Sequence, residues 1–272
     1  MEVASEDVEI ASDLLWSAGA QAVEEVTTVG GVELLTDLGD DPVSAWNALV
    51  VRTPFAGNWR TRIKLIERSV TDSWREHVEE IEIGEVRIVP AWKTNGDVDA
   101  PERILIDPGG AFGMGDHPTT RATLTLALGR TQTSSTRPSV LDIGCGSGIL
   151  GIALARMRGA RIVAVDIAPA AIEATRANSA LNQIDNRIIV ELGAVDVVRG
   201  SYDLVLANIL APVLLADAER IARCVASRGG LILSGFTPTR LDDITAAYTR
   251  CGLHLVKSVE VDGWLAVEME RP

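Results

Sequence analysis

The chain has 272 residues, 47% of them hydrophobic, with a formal net charge of −13, enough for one large or two ordinary domains around a real core. No apolar run approaches the ~18 residues of a membrane span. The acidic start MEVASEDVEI has no basic-then-apolar signal pattern, and Cys145, Cys224 and Cys251 have no paired spacing, so membrane anchoring, secretion and a disulfide scaffold give way to a reduced, cytoplasmic protein.

In chain order, residues 5–19 put Val8, Ala11, Leu14, Leu15 and Ala18 on one helical face that Gly19 ends. Residues 22–28 and 32–37 read as strands joined at Gly30-Gly31. Asp41-Pro42 opens a short helix to about Arg52, and residues 61–69 alternate as a third strand. A ferredoxin-like α+β unit needs one more strand in front, and only Met1–Ala4 remains for it. That strand is expected to be absent or cut short. Residues 1–70 are therefore assigned to a small domain and 71–84 to a linker helix, with Trp74 the apolar anchor of Asp72–Glu80. The remainder, 85–272, forms a second domain.

That domain opens with a strand over 86–92, a polar loop, a strand at 104–107 and the loop Pro108–Gly115. Asp116 is placed to cap a helix over 118–128. Strands at 140–144, 161–166, 187–192, 202–208 and 229–235 then alternate with helices at about 149–158, 169–182 and 211–225, the pattern of a parallel sheet covered on both faces. After a helix at 240–251, strands 254–261 and 264–270 meet across Asp262-Gly263, a strong hairpin signal.

The run Asp142-Ile143-Gly144-Cys145-Gly146-Ser147-Gly148 joins a buried strand to a helix, where open parallel sheets bind ligands. Gly144, Gly146 and Gly148 let the backbone approach a ligand closely, and Asp166 ends the next strand, placed to accept a ribose diol. Gly146–Gly151 also matches a dinucleotide fingerprint, so a nicotinamide cofactor competes. Three features favour S-adenosylmethionine. Asp142 would hold a cationic amino acid end and repel a pyrophosphate, the glycines alternate from Gly144, and the sheet ends in a hairpin. Asn208 ends the fourth strand of this domain's parallel set. Its side-chain oxygen would accept a hydrogen bond from an amine and aim the lone pair at a methyl group. The rival reading makes it the cap of the following helix. His117 is open as a base or as loop structure, and Cys145 reads as packing. His77 and His254 lack ligand spacing, so no metal is expected.

Together these segments resemble the PrmA family, which methylates ribosomal protein L11. The resemblance rests on Asp107–Thr120, Asp142–Gly148 and Asn208-Ile209-Leu210-Ala211, with Leu233–Phe236 and Gly263-Trp264 also fitting. It implies a seven-stranded, Rossmann-like methyltransferase domain behind a ferredoxin-like domain that grips the substrate. By resemblance, Thr120, Gly144, Asp166 and Asn208 bind the donor, Phe112 and Gly113 lie on a loop closing over it, and the products are methylated lysine and α-amino groups. Met114 departs from the family's usual Thr. Residues 1–100 carry 20 Asp and Glu against 8 Lys and Arg. Such an acidic front suits a basic ribosomal protein and disfavours nucleic acid, or serves only solubility. The expectation is a monomer, with an N-methyltransferase of another protein or a small amine as the alternative.

Overall fold

The computed structural model describes residues 1–4, 7–17, 23–28, 30–36, 43, 59–62, 78–94, 100–109, 111–132 and 137–272. They form two compact units: Met1–Val78 with Gly109–Phe112, and Glu79–Pro108 with Gly113–Pro272.

In the first unit, β1 (Glu2–Val3), α1 (Val8–Ser17), β2 (Val23–Thr28) and β3 (Gly31–Thr36) make a sheet of order β1-β3-β2 with antiparallel neighbours. The first strand covers only Glu2–Val3, and it has a neighbour on each side. Glu2 pairs with Glu33 on one side and exchanges backbone hydrogen bonds of 2.8 and 3.2 Å with Arg60 on the other. Antiparallel neighbours on both sides satisfy its backbone groups, and the order β1-β3-β2 with Arg60 beside β1 partly supports a ferredoxin-like sheet. Val3, Ala11, Leu15, Leu34 and Trp59 form its core. The Trp59 indole donates to Asp7 at 3.1 Å, which gives the buried N–H its partner. The helix expected from Asp41, all but Val43 of it, lies outside the described residues, as do residues 63–69 of the expected strand and 71–77 of the linker helix.

The second unit begins with β4 (Ile81–Ile83), β5 (Val86–Pro90) and β6 (Arg103–Ile106), in the order β4-β5-β6. Ile81–Ile83, given above to the linker, is a strand because Gly84, at φ 58°, turns it into an antiparallel pair with β5. The expected strand 86–92 stops at Pro90. Its φ of −57° already suits a turn, and Ala91–Lys93 make a 3₁₀ turn.

After α2 (Pro118–Thr131) come β7 (Ser139–Ile143), α3 (Ile149–Arg158), β8 (Arg161–Asp166), α4 (Pro169–Leu181), β9 (Ile188–Leu192) and β10 (Tyr202–Asn208). α5 (Ala211–Ala216), α6 (Ala218–Arg223), β11 (Val225–Phe236), α7 (Leu241–Arg250), β12 (His254–Val261) and β13 (Trp264–Glu270) complete the chain. The seven-stranded sheet runs β12-β13-β11-β10-β7-β8-β9. From β11 to β9 its neighbours are parallel, and β13 is antiparallel to both β11 and β12. Asp262 and Gly263 take φ 48° and 80°, the positive pair that a two-residue hairpin turn requires. The single helix expected at 211–225 is two. Asp217, at φ −103° and ψ 15°, leaves the helical range between them.

The period of two along each strand divides the core. Leu141, Ile143, Val205, Ala207, Leu231 and Leu233 pack with Leu214, Ile221, Ile244 and Tyr248 of α5–α7. The alternate residues Val140, Asp142, Leu206 and Ile232 face the other way and are equally buried. Burying each Leu or Ile contributes about 1.5–3 kcal/mol, so the sheet is a stiff base for what its carboxyl ends carry.

Candidate functional site

Three adjacent strands, β8, β7 and β10, end level with one another. Ile143 pairs with Val165 on one side and Ala207 on the other, so the next residues, Asp166, Gly144 and Asn208, form a row across the sheet edge. At about 4.8 Å per strand, Asp166 and Asn208 stand roughly 10 Å apart on either side of the glycine.

Gly144, Gly146 and Gly148 have φ of 71°, 54° and 81°. The Gly144 and Cys145 N–H groups both donate to the Val165 carbonyl, at 2.8 and 3.1 Å, and this folds the turn back over β8. At Gly144 a Cβ would also collide with the Ile209 side chain, so glycine is required there twice over. Asp166 accepts from the Gly146 N–H at 3.0 Å and from the Ala168 N–H at 2.9 Å. Each oxygen keeps acceptor capacity for a diol.

Asp142 differs from expectation. The carboxylate is fully buried on the α3 side of the sheet and accepts from the Gly151 N–H at 3.2 Å. It clamps the start of α3 instead of lining an open crevice. Its second oxygen, Oδ1, has no hydrogen-bond partner among the described residues. Burial, reinforced by the charge of Asp166 and opposed by the Gly151 bond, pushes its pKa up to about 7. A buried acid with one orphaned oxygen fits a cationic ligand close by and does not fit a pyrophosphate. Cys145 is buried beside Thr175, whose hydroxyl lies 3.3 Å from Sγ. Burial and then Asp142 push the thiol well above its ordinary pKa, so packing is its role.

Asn208 is half-buried, and its side chain makes no hydrogen bond among the described residues. It does not cap the next helix: the cap of α5 is Leu210, with no side-chain bond. Ile209 fixes the Asn208 backbone. Its side chain packs under Gly144, and its backbone passes so close to Gly235, at φ 96°, that any Cβ there would strike it. Thr120 is buried in the first turn of α2. The cap of that helix is His117, not Asp116: Nδ1 of His117 accepts from the Thr119 N–H at 3.3 Å, while Asp116 is exposed. The imidazole ring meets Trp264 edge-on at 5.1 Å, and burial lowers its pKa against the opposing charge of Asp116. Phe112 is half-buried and falls in the first unit. Gly113, at φ 106°, falls in the second, where its carbonyl accepts from the Ser147 hydroxyl at 2.5 Å.

The family model described as ribosomal protein L11 methyltransferase (PrmA) matches residues 1–272. The chain belongs to this family. A ribosomal protein L11 methyltransferase of Synechococcus sp. (strain RCC307) is 37% identical over 207 residues, covering 73% of this chain and 67% of that one. One from Bacillus velezensis is 31% identical over 224 residues, covering 81% and 71%. One from Clostridium botulinum (strain Eklund 17B / Type B) is 33% identical over 201 residues, covering 74% and 63%. These matches thus span about two thirds of the relatives' length. The crystal structure of a ribosomal protein L11 methylase from Lactobacillus delbrueckii subsp. bulgaricus is similar with a TM-score of 0.63 at 29% identity. That match covers 71% of this chain and 99% of the other. The second unit has the Rossmann-like fold of the S-adenosylmethionine-dependent methyltransferases. Sequence reasoning gave no individual role to Ser147, Asn178 or Ile209. Each acts on backbone that comes near only in the folded chain.

Proposed function

We propose that this chain transfers methyl groups from S-adenosylmethionine to lysine and α-amino nitrogens of ribosomal protein L11, as a cytoplasmic monomer. The observation that carries the reading is the row Asp166–Gly144–Asn208, because it combines a diol acceptor, a close backbone approach and an unengaged amide at the ends of three neighbouring strands. Bound donor would supply a methyl group on a positively charged sulfur, already activated for displacement. Asp166 would hold the ribose, and the turn through Gly146 and Gly148 would lie against the donor. Thr120 would bind the donor, Gly113 would lie over its methionine part, and the Asp142 oxygen without a partner among the described residues would favour its cationic end. Asn208 would accept a hydrogen bond from the incoming amine and hold its lone pair in line with the methyl carbon. Such orientation, with water kept out, is the main catalytic contribution in a reaction of this type. An ordinary lysine, with pKa about 10.4, must lose a proton first, and entry into an apolar channel promotes that loss. No dedicated base is invoked, because the Nδ1 of His117 is engaged in capping α2.

The ferredoxin-like order of the first unit supports protein recognition there, and the acidic balance of residues 1–100 suits a basic substrate. Among the described residues no helix is long and apolar enough to cross a membrane. The test is transfer of labelled methyl from the donor to purified L11. Transfer is expected with the native chain and at least about a hundredfold slower with Asn208→Ala. A chain that binds the donor yet labels no L11 would refute the substrate assignment.

A further inference from the structure

Asn178 on α4 and Asn182, the residue that caps its C-terminus, lie one turn apart and are fully buried. Asn182 accepts from the Leu105 N–H at 2.9 Å and donates to the Leu105 carbonyl at 2.7 Å. Asn178 treats Asp107 in the same way, at 2.9 Å for each bond. The match is geometric. Four helical residues rise about 6 Å and two strand residues about 6.6 Å, so an i, i+4 pair of amides reaches alternate residues of a strand edge. β6 is an edge of its small sheet, and the two amides stand in for the strand it lacks.

Asn178 does one thing more. Its amide also donates to the Ser147 carbonyl inside the glycine turn, at 2.9 Å. The Ser147 hydroxyl in turn donates to the Gly113 carbonyl. One side chain therefore ties the end of β6, from which the chain leads to Gly113, to the turn that ends β7. Taking the donor site above as its premise, we infer that Asn178 is a positioning residue for donor binding, fixing the glycine turn against Asp107 at the end of β6 and, through Ser147, against Gly113. Asn182 makes the same bonds one turn away, without the link to the turn, and serves the fold alone.

The experiment is calorimetric titration of S-adenosylhomocysteine into the full chain and its Asn178→Ala and Asn182→Ala variants, with thermal unfolding of each. Both variants lose a pair of buried strand-edge bonds, so both melt earlier. Only Asn178→Ala binds the product more weakly, by about tenfold, as expected for one buried hydrogen-bond network. Its kcat at saturating donor stays within about threefold of the native value. Ser147→Ala, a smaller change that cuts the link to Gly113, weakens binding several-fold. Equal weakening in Asn182→Ala would mean general loosening and overturn the inference. So would native affinity in Asn178→Ala or, should that variant not fold, in Ser147→Ala. A native chain that binds no product would instead bring down the donor-site reading itself.

Discussion

Replacing Asp142 with Asn separates the electrostatic cost of this side chain from its structural use. The Asn amide oxygen still accepts from the Gly151 N–H, so the clamp on α3 is kept, but the buried charge is gone. The size of the effect follows from the rise in pKa from 3.8 to about 7. At 1.36 kcal/mol per unit, ionisation of the folded state costs up to roughly 4 kcal/mol of stability. The sign is set by proton linkage. The folded chain holds this proton more tightly than the unfolded chain, so the stabilisation is complete below pH 3.8 and lost as pH rises through about 7. Urea unfolding without ligand at pH 5, 6, 7 and 8 should show Asp142→Asn gaining on the native chain with each step, and exceeding it by at least about 1 kcal/mol at pH 8. Donor affinity at pH 8 should move the other way, falling about tenfold as the attraction for a cationic ligand disappears. Parallel stability profiles for the two proteins from pH 5 to 8 would refute the reasoning, because the carboxyl group would then be ionised as easily in the fold as outside it.

Asn208→Ala should leave thermal stability within about 0.5 kcal/mol, since the side chain is half-buried and caps nothing, while kcat falls about a hundredfold or more; thermal unfolding checks the first and end-point methylation the second. Gly235→Ala forces a Cβ into the Ile209 backbone at a positive φ, so unfolding in urea should show a loss of about 1–3 kcal/mol and methyl transfer should fall further than stability does. His117→Ala should cost about 1 kcal/mol through loss of the α2 cap. The lowered pKa of His117 means its contribution is whole above pH 6.5 and is lost as pH falls; His117→Asn, which caps without titrating, should flatten that part of the melting-temperature profile.

The parts of this fold legible in the sequence are those governed by local period and turn chemistry. Alternating strands and helices from Val140 onward gave the parallel sheet, and Asp262-Gly263 gave the hairpin because that dipeptide tolerates two positive φ values. The insertion of β13 between β11 and β12 was not legible, since it depends on which sheet edge the hairpin meets. The break at Asp217 carries no Gly or Pro to announce it. Asp116 reads as the cap in sequence, but the cap is His117, whose ring meets Trp264 edge-on some 147 residues away. At the site, the glycine run and Asp166 are local signals. The inward turn of Asp142 was hidden because a strand residue's face depends on sheet packing, here settled by Gly151 on α3. Asn178 and Asn182 look like ordinary helical polar residues until β6, more than 70 residues earlier, lies beside them.

A crystal of the chain grown with S-adenosylhomocysteine tests the central claim most directly. The account predicts the ribose on Asp166, the adenosine and amino acid parts on either side of Gly144, and the sulfur facing Asn208. Product density elsewhere, or a glycine turn that takes up a nicotinamide dinucleotide and leaves S-adenosylhomocysteine unbound, would contradict it.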